Sequence, residues 1–270
     1  MHNTSIENSD PRLIDEALNT EPIKNTFRLS WEFITLNQKF TFTLMGVFIA
    51  LHVLGMIPIL ALIFMIFAGV FGLAIQIYIG RVFYKTTNIT SYIKEIENSE
   101  INQVSYTSIA PAFGAYIGGL LFLFLVAFLF GVVANSMGLI HEGMNEQELA
   151  KMIGSLGMPM ILIMLVILYL QPLVQANIIL AKNFGEGFQA VFTIFSIRLW
   201  KQSIQKSYFL YVVILGFIVL STMFVVVILL NSLGSAIGLP LFTNIILLAC
   251  MYIFMIVMAI GSVMAKRLIE

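Results

Sequence analysis

The chain has 270 residues, of which 60% are hydrophobic and 10% charged, and its mean hydropathy is +0.98. Soluble domains carry roughly a quarter charged residues, so a soluble enzyme is excluded for practical purposes. The 14 Lys and Arg balance the 14 Asp and Glu, which leaves neither a nucleic-acid footprint nor an acidic tail.

Residues 1–22 are polar and include Asp10, Asp15 and Glu16. They lack the basic start and apolar core of a cleaved signal peptide, and are read as a flexible cytoplasmic N-terminus. Residues 23–270 are read as a single all-α membrane domain. Just upstream of the first apolar run, Ile23, Phe27, Trp31 and Ile34 fall on one helical face, beside Lys24, Arg28, Glu32 and Thr35. The run itself, Phe40 to Gly80, has 41 residues without a charge. A helix crosses the hydrocarbon core in about 20 residues, and Gly55 and Pro58 supply a break. Spans are therefore predicted at 40–57 and 59–79.

A looser amphipathic stretch follows, with Ile89, Tyr92, Ile93 and Ile96 beside Lys94, Glu95 and Glu97. The uncharged runs Ile101–Ile140 and Met152–Ala181 hold 40 and 30 residues, and each predicts one span, at 111–134 and 159–180. Next comes a second amphipathic segment, Phe188 to Lys206. Its stripe is Phe188, Val191, Phe192, Phe195 and Leu199, with Arg198 and Lys201 away from the centre. The last run, Ser207–Ala265, has 59 residues and divides at Asn231-Ser232-Leu233-Gly234, which predicts spans at 208–230 and 241–265. Six spans place 13 of the 14 Lys and Arg on one side with both termini, and only Lys151 on the other. The positive-inside rule then makes the termini cytoplasmic.

No Asp, Glu, Lys or Arg lies deep in a predicted span, although coupled transport and intramembrane catalysis usually need such groups. No catalytic, metal or cofactor site is expected. His52 is the only histidine in a predicted span, and the single Cys250 supports neither a disulfide nor a thiolate metal site. The fourth span holds Gln171, Pro172, Gln175 and Asn177, with Gln76 as a companion near the end of the second. Gln171 and Gln175 share a helical face, and Pro172 frees a carbonyl beside them. Polar glue between helices and a headgroup or water site both fit this pattern. In the third span Ala110, Gly114 and Gly118 recur every four residues, a spacing that allows close helix approach within the chain or between copies. Trp31 precedes Phe40 by the same interval as Trp200 precedes Phe209. Together with Phe192, Phe195, Arg198 and Lys201, these tryptophans are expected at the lipid interface. The matching Trp-to-Phe intervals also hint at a repeat of amphipathic helix plus hairpin, in one orientation throughout.

The segment Phe27-Arg28-Leu29-Ser30-Trp31, then Asn37, Ile57-Pro58 and Ile79-Gly80-Arg81, resembles the opening of the YciC-like bacterial membrane proteins. Those proteins are similar to the membrane domain fused to some glycerophosphodiester phosphodiesterases. Gly185-Glu186-Gly187-Phe188-Gln189-Ala190 resembles the second half of the group, and the likeness covers about residues 25 to 265. It implies six helices in a bacterial inner membrane. It implies no activity, because the group has no settled function. The expected role is a non-enzymatic scaffold or accessory component that binds membrane lipids, a membrane-protein partner or a second copy of itself. The alternative is a small transporter or channel for a neutral or lipid-like solute.

Overall fold

The structure, a computed structural model, describes residues 20–86, 88–138, 146–237 and 240–270; of 146–153, 155, 156, 233–237 and 240 it describes only the backbone. The expectation for the extreme N-terminus lies outside what is described, as do residues 139–145 of the outer loop, while Lys151, expected in that loop, lies in the helical backbone of α6. In chain order the helices are α1 (Pro22–Leu36), α2 (Gln38–Leu54), α3 (Ala61–Lys85), α4 (Ile89–Glu97), α5 (Ile101–Ser136), α6 (Glu146–Leu180) and α7 (Phe184–Phe192). A 3-10 turn (Thr193–Phe195), α8 (Ile197–Ser203), α9 (Lys206–Ile237) and α10 (Pro240–Arg267) complete the chain. Among the described residues every regular element is helical. Five helices are long and apolar enough to cross a membrane, and α1 with α2, bent by 95°, makes up to a sixth. The chain is a multi-pass membrane protein.

Burial separates inner from outer helices. In α3 and α10, 44% of the most apolar window is buried, against 17% in α6 and 11% in α5 and α9. The inner pair carries small residues where neighbours approach. A Cβ on Gly80 would stand 2.6 Å from Ile179, and one on Gly261 would stand 2.8 Å from Leu215. One core cluster runs from Leu29 through Ile75, Ile179 and Tyr252 to Ala265. The exposed Leu, Ile, Val and Phe of α5, α6 and α9 fit lipid-facing surface.

Asn37 pins the bend between α1 and α2, and Thr41 Oγ1 of α2 donates to the Phe33 carbonyl of α1 at 3.3 Å. Asn37 Oδ1 accepts from the Phe40 amide at 3.1 Å and caps α2. Its Nδ2 donates to the carbonyls of Ile96 (3.0 Å) and Ser99 (3.2 Å) at the end of α4. One side chain thus satisfies orphan groups at two helix ends. Tyr92 of α4 donates to the Leu29 carbonyl at 3.1 Å, and burial pushes its phenol well above the ordinary range, so it stays a neutral donor at any working pH.

Four local expectations change. The helix carrying the predicted span 111–134 starts at Ile101, so Pro111 lies inside it, and Pro159 likewise lies inside α6. The predicted break at Asn231–Gly234 is absent, since α9 continues to Ile237. In α1 the buried stripe is Thr26, Leu29, Ser30 and Phe33, and Trp31 is 65% exposed. Two hydroxyls can take core positions there because each is satisfied. Thr26 Oγ1 donates to the Pro22 carbonyl and meets Tyr211 Oη at 2.8 Å, while Ser30 Oγ donates to the Thr26 carbonyl. Finally, the segment from Phe188 to Lys206 is not one helix. It turns at Ser196, whose backbone is extended, and the Trp200 indole donates to the Ile194 carbonyl exposed by the break (2.8 Å).

Candidate functional site

The polar residues of α6 do not share one surface. Gln175 is buried, and its Nε2 donates to Gln76 Oε1 of α3 at 2.8 Å. This closes the pair within the bundle. Gln171 and Pro172 line a groove of about 230 Å³ between α6, α9 and α10 whose other walls are almost all apolar. One turn before Pro172, the Tyr169 carbonyl accepts from Tyr208 Oη at 2.6 Å. His52 is satisfied within its own helix: Nδ1 lies 2.8 Å from the Phe48 carbonyl and the two rings are 4.2 Å apart.

Gly114 and Gly118 serve an internal crossing. A Cβ on Gly114 would collide with the Phe184 carbonyl, and one on Gly118 would stand 2.9 Å from the Phe188 carbonyl. From the opposite side, a Cβ on Gly187 would collide with the Pro111 carbonyl. Backbone therefore meets backbone, and α7 is clamped across α5. The clamp holds the following segment in place: Phe195 packs on Phe122 with centroids 6.0 Å apart, and Phe192 on Phe188 at 5.2 Å. Phe195, Ile197, Trp200 and Ile204 remain exposed, as do Arg198 and Lys201.

Four cations gather where the helices end, and two of them are committed to backbone. Arg81 of α3 donates Nε to the Ile179 carbonyl (2.8 Å), Nη2 to the Ala181 carbonyl, and Nη1 to the Thr107 carbonyl at 2.6 Å. It thereby caps the C-terminus of α6 and ties α3, α5 and α6 together. Arg267 of α10 does the same for α3, donating to the carbonyls of Tyr84 (3.1 Å) and Thr86 (2.9 Å) with its guanidinium 4.6 Å from the Phe83 ring centre. In the sequence both count only as charges on the expected cytoplasmic side. No local signal marks them, because their acceptors lie on other helices.

The other two cations, Lys266 and Arg198, face a polar cleft. Asn177 is its hub: Nδ2 donates to Thr193 Oγ1 at 3.1 Å and Oδ1 accepts from Lys266 Nζ at 3.3 Å. Two hollows of about 280 and 320 Å³ open on either side and share Asn177, Thr193 and Lys266 as walls. The first adds Ser196, Arg198 and Gln202; the second adds Glu186 and Gln189. Among the described residues, no three of His, Cys, Asp and Glu converge on a possible metal position. The cleft offers cations and hydrogen-bonding groups, which is recognition chemistry. No protein-family model matches the chain, and comparisons with curated proteins and with solved structures also give no match.

Proposed function

We propose that the chain is a six-span protein of a bacterial inner membrane, with both termini cytoplasmic. It serves there as a non-enzymatic accessory component that binds membrane lipid through its short cytoplasmic-side helices. The YciC-like resemblance and the 13-to-1 division of Lys and Arg support the compartment and the orientation. The observation that carries the lipid-binding role is the α7–α8 layer. It is clamped to α5 by glycines, yet leaves Phe195, Ile197, Trp200 and Ile204 exposed beside Arg198 and Lys201. Exposed aromatics next to cations suit a headgroup layer. The transport alternative has less support, because Gln76 and Gln175 bond each other while Gln171 and Asn177 face separate hollows.

The test uses the full chain carrying Trp31→Phe, which leaves Trp200 as the only tryptophan. In vesicles, lipids brominated near the headgroup should quench Trp200 fluorescence more than lipids brominated at the chain terminus. Quenching by aqueous iodide with none by bromolipids would place this layer in water and remove the reading.

A further inference from the structure

We infer that the cleft around Lys266 and Arg198 is a binding site for a phosphate-bearing anion. The inference rests on the reading of α7–α8 as an interfacial layer, because that reading sets the cleft at headgroup depth.

The argument begins with how the cations are used. Arg81 and Arg267 spend their donors on helix-end carbonyls. Lys266 does not. Its side chain is only 18% exposed, and its contacts are Asn177 Oδ1 at 3.3 Å and Glu270 at 3.8 Å. An ammonium has three donors, so a largely shielded one with two long contacts has capacity to spare. Arg198 enters the same hollow from a different segment and makes no hydrogen bond or ion pair among the described residues. Two like charges facing one concave space repel, and an anion between them removes that cost.

Neutral groups complete the set. Thr193, Ser196 and Gln202 line the hollow beside the cations. Several oxygens on one tetrahedral centre can accept from all of these at once, which suits phosphate better than a single planar carboxylate. Two carboxylates are also present and need placing. Glu186 is occupied, accepting from the Lys182 amide and from Asn183 Nδ2, both at 2.8 Å. Glu270 holds Lys266 from a side chain that is 46% exposed. Such a long, solvated pair is weak, and an incoming anion can displace it. The exposed Phe195, Ile197 and Trp200 on the adjoining segment favour an anionic lipid headgroup as the source of the phosphate over a soluble phosphate ester.

The experiment uses the full chain in neutral detergent and reads retained ligand by native mass spectrometry. Phosphatidylglycerol is titrated against phosphatidylcholine, with sn-glycerol 3-phosphate as the soluble competitor. Phosphatidylglycerol should be retained preferentially. Lys266→Gln and Arg198→Gln should each weaken retention about fivefold, the effect of one cation at an anionic surface. Lys85→Gln, an exposed cation at the end of α3 outside both the cleft and the α7–α8 layer, should change it less than about twofold. Arg198 is exposed, so Arg198→Gln keeps the test valid if Lys266→Gln unfolds. Competition by millimolar glycerol 3-phosphate supports the site with a soluble source; its absence, with lipid bound, supports the headgroup. Equal retention of the two lipids with no effect of glycerol 3-phosphate overturns the site. So does an equal loss from Lys85→Gln, which would mean diffuse surface charge. Bromolipid quenching of Trp200 does not depend on anion binding, so the two failures are distinguishable.

Discussion

Pro111 has no N–H to give the Thr107 carbonyl one turn back in α5, and a proline in a helix interior leaves that acceptor free. Arg81 takes it, at 2.6 Å, with the same guanidinium that caps α6. Charge-assisted hydrogen bonds contribute about 1.5–3 kcal/mol each, so Arg81→Gln should destabilise the protein by at least about 2 kcal/mol in detergent unfolding. In a Pro111→Ala background the helix supplies its own donor to Thr107. The same Arg81→Gln change should then cost about 1 kcal/mol less. Equal costs in the two backgrounds would show that the arginine does not compensate for the proline. The polar residues of α6 show a similar dependence on partners. Gln175 meets Gln76, but Asn177 meets Thr193 and Lys266. Thr193 and Lys266 belong to different segments, and nothing in the spacing of α6 points to them.

Among the elements, α7 depends most on close approach. It crosses α5 at Gly114, Gly118 and Gly187, and three glycines at the contact bring the two backbones together. Gly114→Ala or Gly187→Ala forces the helices apart, and overpacking of this kind costs about 1–3 kcal/mol. Gly119 of the same helix has nothing within 4 Å of a Cβ. Gly119→Ala should therefore be neutral or stabilise by up to about 1 kcal/mol through helix propensity. Melting curves of the three variants in detergent check this; an equally damaging Gly119→Ala would mean that helix flexibility, and not the crossing, is what the glycines provide. The order of the elements also has a pattern. Short helices precede a pair of long ones twice, α4 before α5 and α6, and α7 and α8 before α9 and α10, whereas α1 and α2, of 15 and 17 residues, are nearly equal in length.

For the whole molecule, the division of cations sets the expected orientation. Reporter fusions after Glu95, Glu186 and Glu270 should read cytoplasmic, and a fusion after Glu142 periplasmic. A periplasmic reading at Glu270 would require an odd number of spans, and α2 is the helix on which that number turns. It has 17 residues, about 26 Å at 1.5 Å per residue, and reaches the roughly 30 Å hydrocarbon thickness only with its flanking turns. By contrast α5, with 36 residues, is about 54 Å long.

Hydrophobic runs without charge determined by themselves that this is a multi-pass helical membrane protein, because burying a charge in hydrocarbon costs far more than any local preference can repay. Gly55 and Pro58 likewise marked the turn after α2, where backbone chemistry is local. Tertiary structure decided the rest. Thr26 and Ser30 became core positions in α1 through hydroxyl partners that hydropathy does not register. Pro111 stayed inside a helix because a distant arginine accepted its consequence. The amphipathic stretch after Phe188 turned at Ser196 because Trp200 and Asn177 could satisfy the groups around the turn. The cleft of Lys266 and Arg198 arises only where α6, α10 and the segment entering α8 meet. Hydrogen bonds and close contacts between separate helices are set by three-dimensional proximity, and one-dimensional spacing does not encode them.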